Sequence, residues 1–296
     1  TWGWAPKDPS SIPFCIMTPD GQVLPTQIVE TGNYWAHQFV KLAFPVTVPA
    51  FGYGLYLIKE DKCESKGSDV RQIGLSHQCG YSYYERSPEG LENGLVKVEL
   101  DMKTGGVKSM IDKRSGNELI DSTEPSSILE YGVERMRSMN AWLIEHTGPW
   151  RNLEVVSIKR NLNGPYKATI DVVFKVEQSD FTLTYELRAD DPNLYIHIKG
   201  TWFQRGTSSG VPVLRFSVPL TLKDPETRYE IPFGAIDRNM EHGEEVPALR
   251  WTQVTGQTGD SKEGCLLLND SKHGHSFNDN RLNLTLIRSS TNPDRS

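Results

Sequence analysis

The residues best suited to chemistry sit together in one short segment, Asn269-Asp-Ser-Lys-His-Gly-His275. Asp270 offers an oxygen, and His273 and His275 offer imidazole nitrogens, a donor set that suits a metal ion. Two His one residue apart point to opposite sides of an extended chain, so they converge only if the loop bends. The other reading is a polar loop closing a buried strand, with Gly274 turning the chain after the apolar run Cys265 to Leu268. Asp270 and Lys272 lie two apart, point the same way in extended chain, and can face one partner surface together. That arrangement needs no metal.

Other candidates are weaker. Acid pairs that cleave glycosidic bonds stand about 5 to 10 Å apart across a sugar. Glu244-Glu245 and Asp190-Asp191 are adjacent, so each pair faces apart in extended chain and reads as solvated charge. His197 falls between Tyr195 and Lys199 on the wet face of a strand, where a surface role is expected. Trp2, Trp4, Trp142, Trp150, Trp202 and Trp251 are possible sugar platforms, although Trp is more often core than platform. There is no G-x-S-x-G elbow, no P-loop and no H-E-x-x-H, and Gly52-Tyr-Gly54 lacks the Lys and Ser/Thr of a phosphate cradle. Asn269-Asp-Ser271 and Asn283-Leu-Thr285 are glycosylation sequons only in a secreted protein.

The elements that position these residues are strands. Val96, Val98, Leu100 and Met102 alternate with Lys97, Glu99, Asp101 and Lys103, which predicts one dry and one wet face. Thr104-Gly105-Gly106 and Asp112 to Gly116 then turn the chain into a meander. Phe181, Leu183, Tyr185 and Leu187 repeat the pattern, as do Leu194, Ile196 and Ile198, and Leu282 to Leu286. The longest stripe is Leu214, Phe216, Val218, Leu220 and Leu222. Only Glu130 to Asn140 offers a possible short helix. The fold class is all-β, built of sandwiched antiparallel sheets.

The polar stretch Lys59 to Asp69 reads as a linker. Before it, Gln22 to Val29, Phe39 to Val48 and Leu55 to Ile58 suit a small sandwich. After about residue 85 comes the larger β region. The domains expected are therefore 1–84, small and with a linker over 59–69, and 85–296, a large β-sandwich.

Composition narrows the function classes. With 296 residues and 37% hydrophobic content, the chain is long and apolar enough to bury a core and is not a disordered chain. Its 32 Lys+Arg and 38 Asp+Glu give a formal net charge of −6, so a nucleic-acid partner is not expected. No run approaches the roughly 18 apolar residues of a membrane span. Cys15, Cys63, Cys79 and Cys265 contain no C-x-x-C pair and suit reduced thiols, as in the cytoplasm, at least as well as two disulfides. Thr1-Trp-Gly-Trp-Ala-Pro has neither an initiator Met nor an apolar leader, which fits an excerpt of a longer protein.

Several segments, in order, resemble the C-terminal β-domain of the family 38 glycoside hydrolases, the α-mannosidases. They are LENGLVKVELDMKTGGVKSMIDKRSGNEL (91–119), MNAWLI (139–144) with NGPYKATIDV (163–172), YEIPFGAIDRNM (229–240) with EEVPALRW (244–251), and GCLLLNDSKHGHSFNDNRLNLTLIRSSTNPD (264–294). GQVLPTQIVE and FPVTVPAFGYGLYLI (44–58) resemble the small β-domain that precedes it.

The resemblance implies a galactose-mutarotase-like supersandwich preceded by a smaller β-sandwich. It implies that the aspartate nucleophile, and the Asp and His ligands of a zinc ion, belong to an N-terminal catalytic domain whose motifs are not in this sequence. No catalytic residue and no cofactor are then expected in this chain, and zinc is expected in the parent's catalytic domain. Asp270 and Lys272, with His273 beside them, become the candidates for reaching toward substrate or bracing that domain. The partners implied are an α-mannoside, met through the parent, and the catalytic domain, with a homo-oligomer left open. Two other functions compete: a stand-alone carbohydrate-binding module using surface Trp residues, and a mutarotase-like enzyme needing a His and an acid in one cleft.

Overall fold

Alternation of apolar and polar side chains is the rule along this chain, and the backbone follows it into strands. The computed structural model describes residues 12–35, 37–61, 71–73, 89–123, 129–145, 147–238, 244–258 and 261–291. Among these, every regular element is a strand, and no helix is long and apolar enough to cross a membrane. The strand Val96–Leu100 buries Val96, Val98 and Leu100, as the alternation requires. Met102 departs from the expected stripe: the strand ends at Leu100 and Met102 is exposed in the turn. That turn closes with Gly105 N–H donating to Asp101 O at 2.7 Å, and Gly105 holds φ at +67°. A β-carbon there would lie 2.6 Å from Val172 Cγ1, so both conformation and space call for glycine.

Residues 130–140 form no helix. Leu129–Glu134 is a strand, followed by turns. Its acids at 130 and 134 share one sheet face, a spacing that suits period two as well as a helical turn.

The chain divides into two compact units, Thr1–Leu95 with Arg160–Ile170 and Thr184–Ile196, and the remainder. Two side chains hydrogen-bond the later segments to the first. Gln27 Oε1 accepts from the N–H of Tyr166 and Lys167, both at 2.9 Å, while its amide donates to Lys167 O. Asn93 Nδ2 donates to Arg188 O and Asp191 O at 2.7 and 2.8 Å. In the first unit, Val23–Leu24, Phe14–Met17 and Leu57–Glu60 form a three-stranded sheet, and Gln27–Tyr34 pairs with His37–Ala43. The polar stretch at 59–69 thus begins inside a strand, and its residues 62–69 lie outside the described residues. Cys15 is disulfide-bonded, which corrects the expectation of reduced thiols throughout; its partner also lies outside the described residues. Spacing along the chain carried no information about which cysteines meet in space. Cys265 is a free thiol that burial pushes up to about 11.

The second unit holds two sheets that matter for function. One runs Arg151–Asn152, Leu129–Glu134, Val211–Pro219, Arg281–Arg288, Gly274–Asn278, Val246–Pro247. Its central strand, Val211–Pro219, is covered on both faces and carries Leu214, Phe216 and Val218 of the longest predicted stripe, whose last two residues, Leu220 and Leu222, are buried beyond the strand's end. Leu129, Tyr131, Leu214, Phe216, Leu282, Leu284 and Phe277 form the apolar face. The opposite face carries ion pairs at low exposure. Arg215 Nε donates to Glu130 at 2.6 Å, and Arg288 grips Glu134 through two bonds of 2.7 Å. The other sheet runs Gly234–Asp237, Lys223–Ile231, Trp251–Thr258, Ser261–Leu268.

Candidate functional site

The segment 269–275 follows the edge strand Ser261–Leu268. That strand alternates part-buried and exposed residues, so the apolar run Cys265 to Leu268 is not buried as expected. Leu266 is 54% and Leu268 61% exposed. An uninterrupted apolar run reads the same whether a strand is central or at an edge; tertiary position decides.

Asn269 builds the loop. Its N–H donates to Arg250 O at 2.8 Å, and its side-chain oxygen accepts from Ser271 N–H at 3.1 Å and Lys272 N–H at 2.6 Å. An Asx turn of this kind fixes the following residues without help from neighbours. His273 closes the other side: its O accepts from Ala248 N–H at 3.0 Å, and its Nδ1–H donates to Leu249 O at 3.0 Å. Between these ties the loop presents Asp270, exposed, and Lys272, half-buried. The Asp270 carboxylate accepts from Ser271 Oγ at 3.0 Å.

His273 and His275 do not converge. His275 is fully buried, with Nδ1 2.7 Å from Thr252 Oγ1 and its ring edge-on to Tyr229. The Asn269 amide approaches Nε2 at 3.5 Å. Among the described residues no group of three His, Cys, Asp or Glu side chains could hold a metal. Burial disfavours the charged imidazole and lowers the His275 pKa. The unfolded chain then takes up a proton below about pH 6.5 that the folded ring resists. Stability is therefore expected to fall as the pH drops from 7 toward 5, by at most about 1.4 kcal/mol per pH unit from this group. Denaturant unfolding of the wild type and His275→Gln at several pH values checks this. Equal slopes for the two proteins would contradict it.

Some expectations are revised by their surroundings. Glu245 is not solvated: it accepts from Thr285 Oγ1, and burial raises its carboxyl pKa. Asp191 organises its own loop, accepting from Asn193 N–H at 2.9 Å and Tyr195 OH at 2.8 Å. His197 is exposed, as expected. Trp202 packs between Tyr131 and Phe181, and the Arg215 guanidinium lies 3.8 Å from the Trp150 ring centre. Trp142 is exposed, Trp251 is part-exposed, and Trp2 and Trp4 lie outside the described residues. Sequence reasoning missed Trp35, 83% exposed at a hairpin turn with φ of +49°, and missed the buried acids Glu130 and Glu134. The four-residue acid spacing was the only local signal for the latter. Of the two sequons, Asn283 is buried and Asn269 is engaged in the loop.

Strands paired into antiparallel sheets, with one firmly tied strand-end loop, define a β-sandwich domain. The family model of the glycosyl hydrolases family 38 C-terminal domain matches residues 91–296, and the chain belongs to that family. It is 24% identical over 231 residues to an alpha-mannosidase of Saccharomyces cerevisiae, covering 69% of this chain. A solved structure of a family 38 glycosyl hydrolase protein from Enterococcus faecalis superposes with a TM-score of 0.66 at 11% identity, covering 94% of this chain. The chain spans 20% of the yeast relative and 35% of the Enterococcus chain.

Proposed function

We propose that this chain is the non-catalytic β-sandwich portion of a retaining α-mannosidase, and that it braces a catalytic portion through the 269–273 loop. In this reading the nucleophile and zinc ligands belong to the catalytic portion, and the substrate is a terminal α-mannoside. The observation that carries the reading is the pairing of a tied loop with exposed leucines. Leu266 and Leu268 stand more than half exposed directly before Asp270, Lys272 and His273. Exposed apolar side chains on an edge strand, next to charges on a fixed backbone, suit an apolar contact rimmed by hydrogen bonds. A retaining glycosidase needs its carboxylates held to a fraction of an ångström, and a packed sheet supplies that support.

The isolated chain is expected to show no turnover of an activated aryl α-mannoside, with or without added zinc. The assay uses purified protein at micromolar concentration. Turnover abolished by substituting a residue of this chain would overturn the reading.

A further inference from the structure

We propose that the open face of the four-stranded sheet is a binding groove for a neutral oligosaccharide. The inference draws on family membership, not on docking of the loop. Strand register places the groove's side chains. Asp237, Arg228 and Gln253 stand opposite one another on one rung, and Glu226 faces Thr255 on the next. Rungs on one face lie about 7 Å apart. Beneath them Thr227 and Tyr229 are buried, so the exposed row is fixed from below by its own strand.

The open depression over this face is about 820 Å³ and is lined also by Phe277 to Asn280. That lies within the range of small-molecule sites, about 300 to 1,000 Å³. A second space of about 320 Å³ shares Gln253, Thr255 and Lys262 and extends toward Gly264 and Leu266. Gly264 keeps this floor low, since a β-carbon there would lie 2.9 Å from Thr255 Cγ2. Two adjoining spaces make an elongated groove, which suits a chain of sugar units better than one.

Charge decides the ligand class. Across the two spaces Arg228, Arg238 and Lys262 stand among four acids, Glu226, Asp237, Asp279 and Glu263. Lys262 Nζ lies 2.8 Å from Glu226, Arg228 Nε 3.7 Å from Asp237, and Arg238 Nη1 donates to Pro247 O at 2.8 Å. A set with no excess of positive charge has no net field for a polyanion. The lining is too polar for an apolar protein face. Sugar hydroxyls both donate and accept, and the Gln253 amide, the guanidinium–carboxylate pair and Thr255 offer both functions along the groove.

Titration calorimetry of the whole chain with an α-linked mannotriose tests the proposal. Methyl α-mannoside serves as the single-unit comparison and a heparin-derived oligosaccharide as the anionic one. Binding of the trisaccharide is expected in the millimolar range or tighter, with the single unit at least tenfold weaker. Gln253→Ala and Arg228→Ala should each weaken it by about tenfold, or about 1.4 kcal/mol, while Lys159→Ala, at an exposed position outside the groove, leaves it unchanged. The thermal midpoint verifies that each variant is folded. No trisaccharide binding overturns the proposal, as does binding indifferent to Gln253 and Arg228, or a preference for the anionic chain. Because no catalysis is measured, failure here leaves the docking reading untouched, and failure of docking leaves the groove untouched.

Discussion

Replacing Glu134 with Ala is expected to lower the thermal midpoint by roughly 10 °C. Glu134 has no exposed surface and accepts two 2.7 Å bonds from Arg288 and a 2.8 Å bond from Glu145 N–H. The substitution leaves the guanidinium with its hydrogen bond to Leu143 O at 3.1 Å. Breaking a buried pair from one side typically costs about 3 to 5 kcal/mol, because the stranded charge has lost its water without a counter-charge. At about 2 to 4 °C per kcal/mol for a domain of this size, the drop should be plain in a calorimetric scan. A Glu134→Leu, Arg288→Met double variant should recover much of the loss, since removing both charges removes the penalty. A Glu134→Ala midpoint within 2 °C of wild type would show that the pair is solvated.

In an enzyme that contains this chain together with its catalytic portion, Asp270→Ala and Lys272→Ala are each expected to lower kcat/KM by at least about 30-fold. The figure follows from the roughly 2 to 5 kcal/mol lost when one partner of a buried charged hydrogen bond is truncated. Both side chains project from a backbone tied by Asn269 and His273, so neither substitution has a path to the sheet core. The midpoint should therefore stay near wild type. A loop that only meets solvent would change kcat/KM by no more than about 0.5 kcal/mol, or twofold. Kinetics and midpoint measured together separate the two cases. Wild-type kinetics in both variants return Asp270 and Lys272 to solvated charge.

What was legible in the sequence was whatever one strand decides by itself. The alternation at 96–100 and 181–187 announced buried stripes because a strand with one covered face records that face in its own residues. The glycines at 105 and 116 marked turns because both hold positive φ, where other side chains are strained. What stayed hidden was set between strands. Arg288 and Glu134 are separated by 154 residues, and no local pattern joins them. Asp237, Arg228 and Gln253 make a rung only once three strands are in register. Leu266 and Leu268 sat in a run that looked buried, and only the position of Ser261–Leu268 at the sheet edge exposes them. The loop at 269–275 was visible as a polar cluster. Its division of labour, with Asn269 holding, His275 buried and Asp270 and Lys272 presented, came from the fold.

The docking role is tested most directly by reconstitution. This chain and the catalytic portion of the same enzyme, produced separately, are mixed and assayed on an aryl α-mannoside. The account predicts that neither part alone reaches full activity and that the mixture does. It also predicts that Leu268→Asp in this chain abolishes both association and recovery. A catalytic portion fully active without this chain, or recovery unaffected by Leu268→Asp, would contradict it.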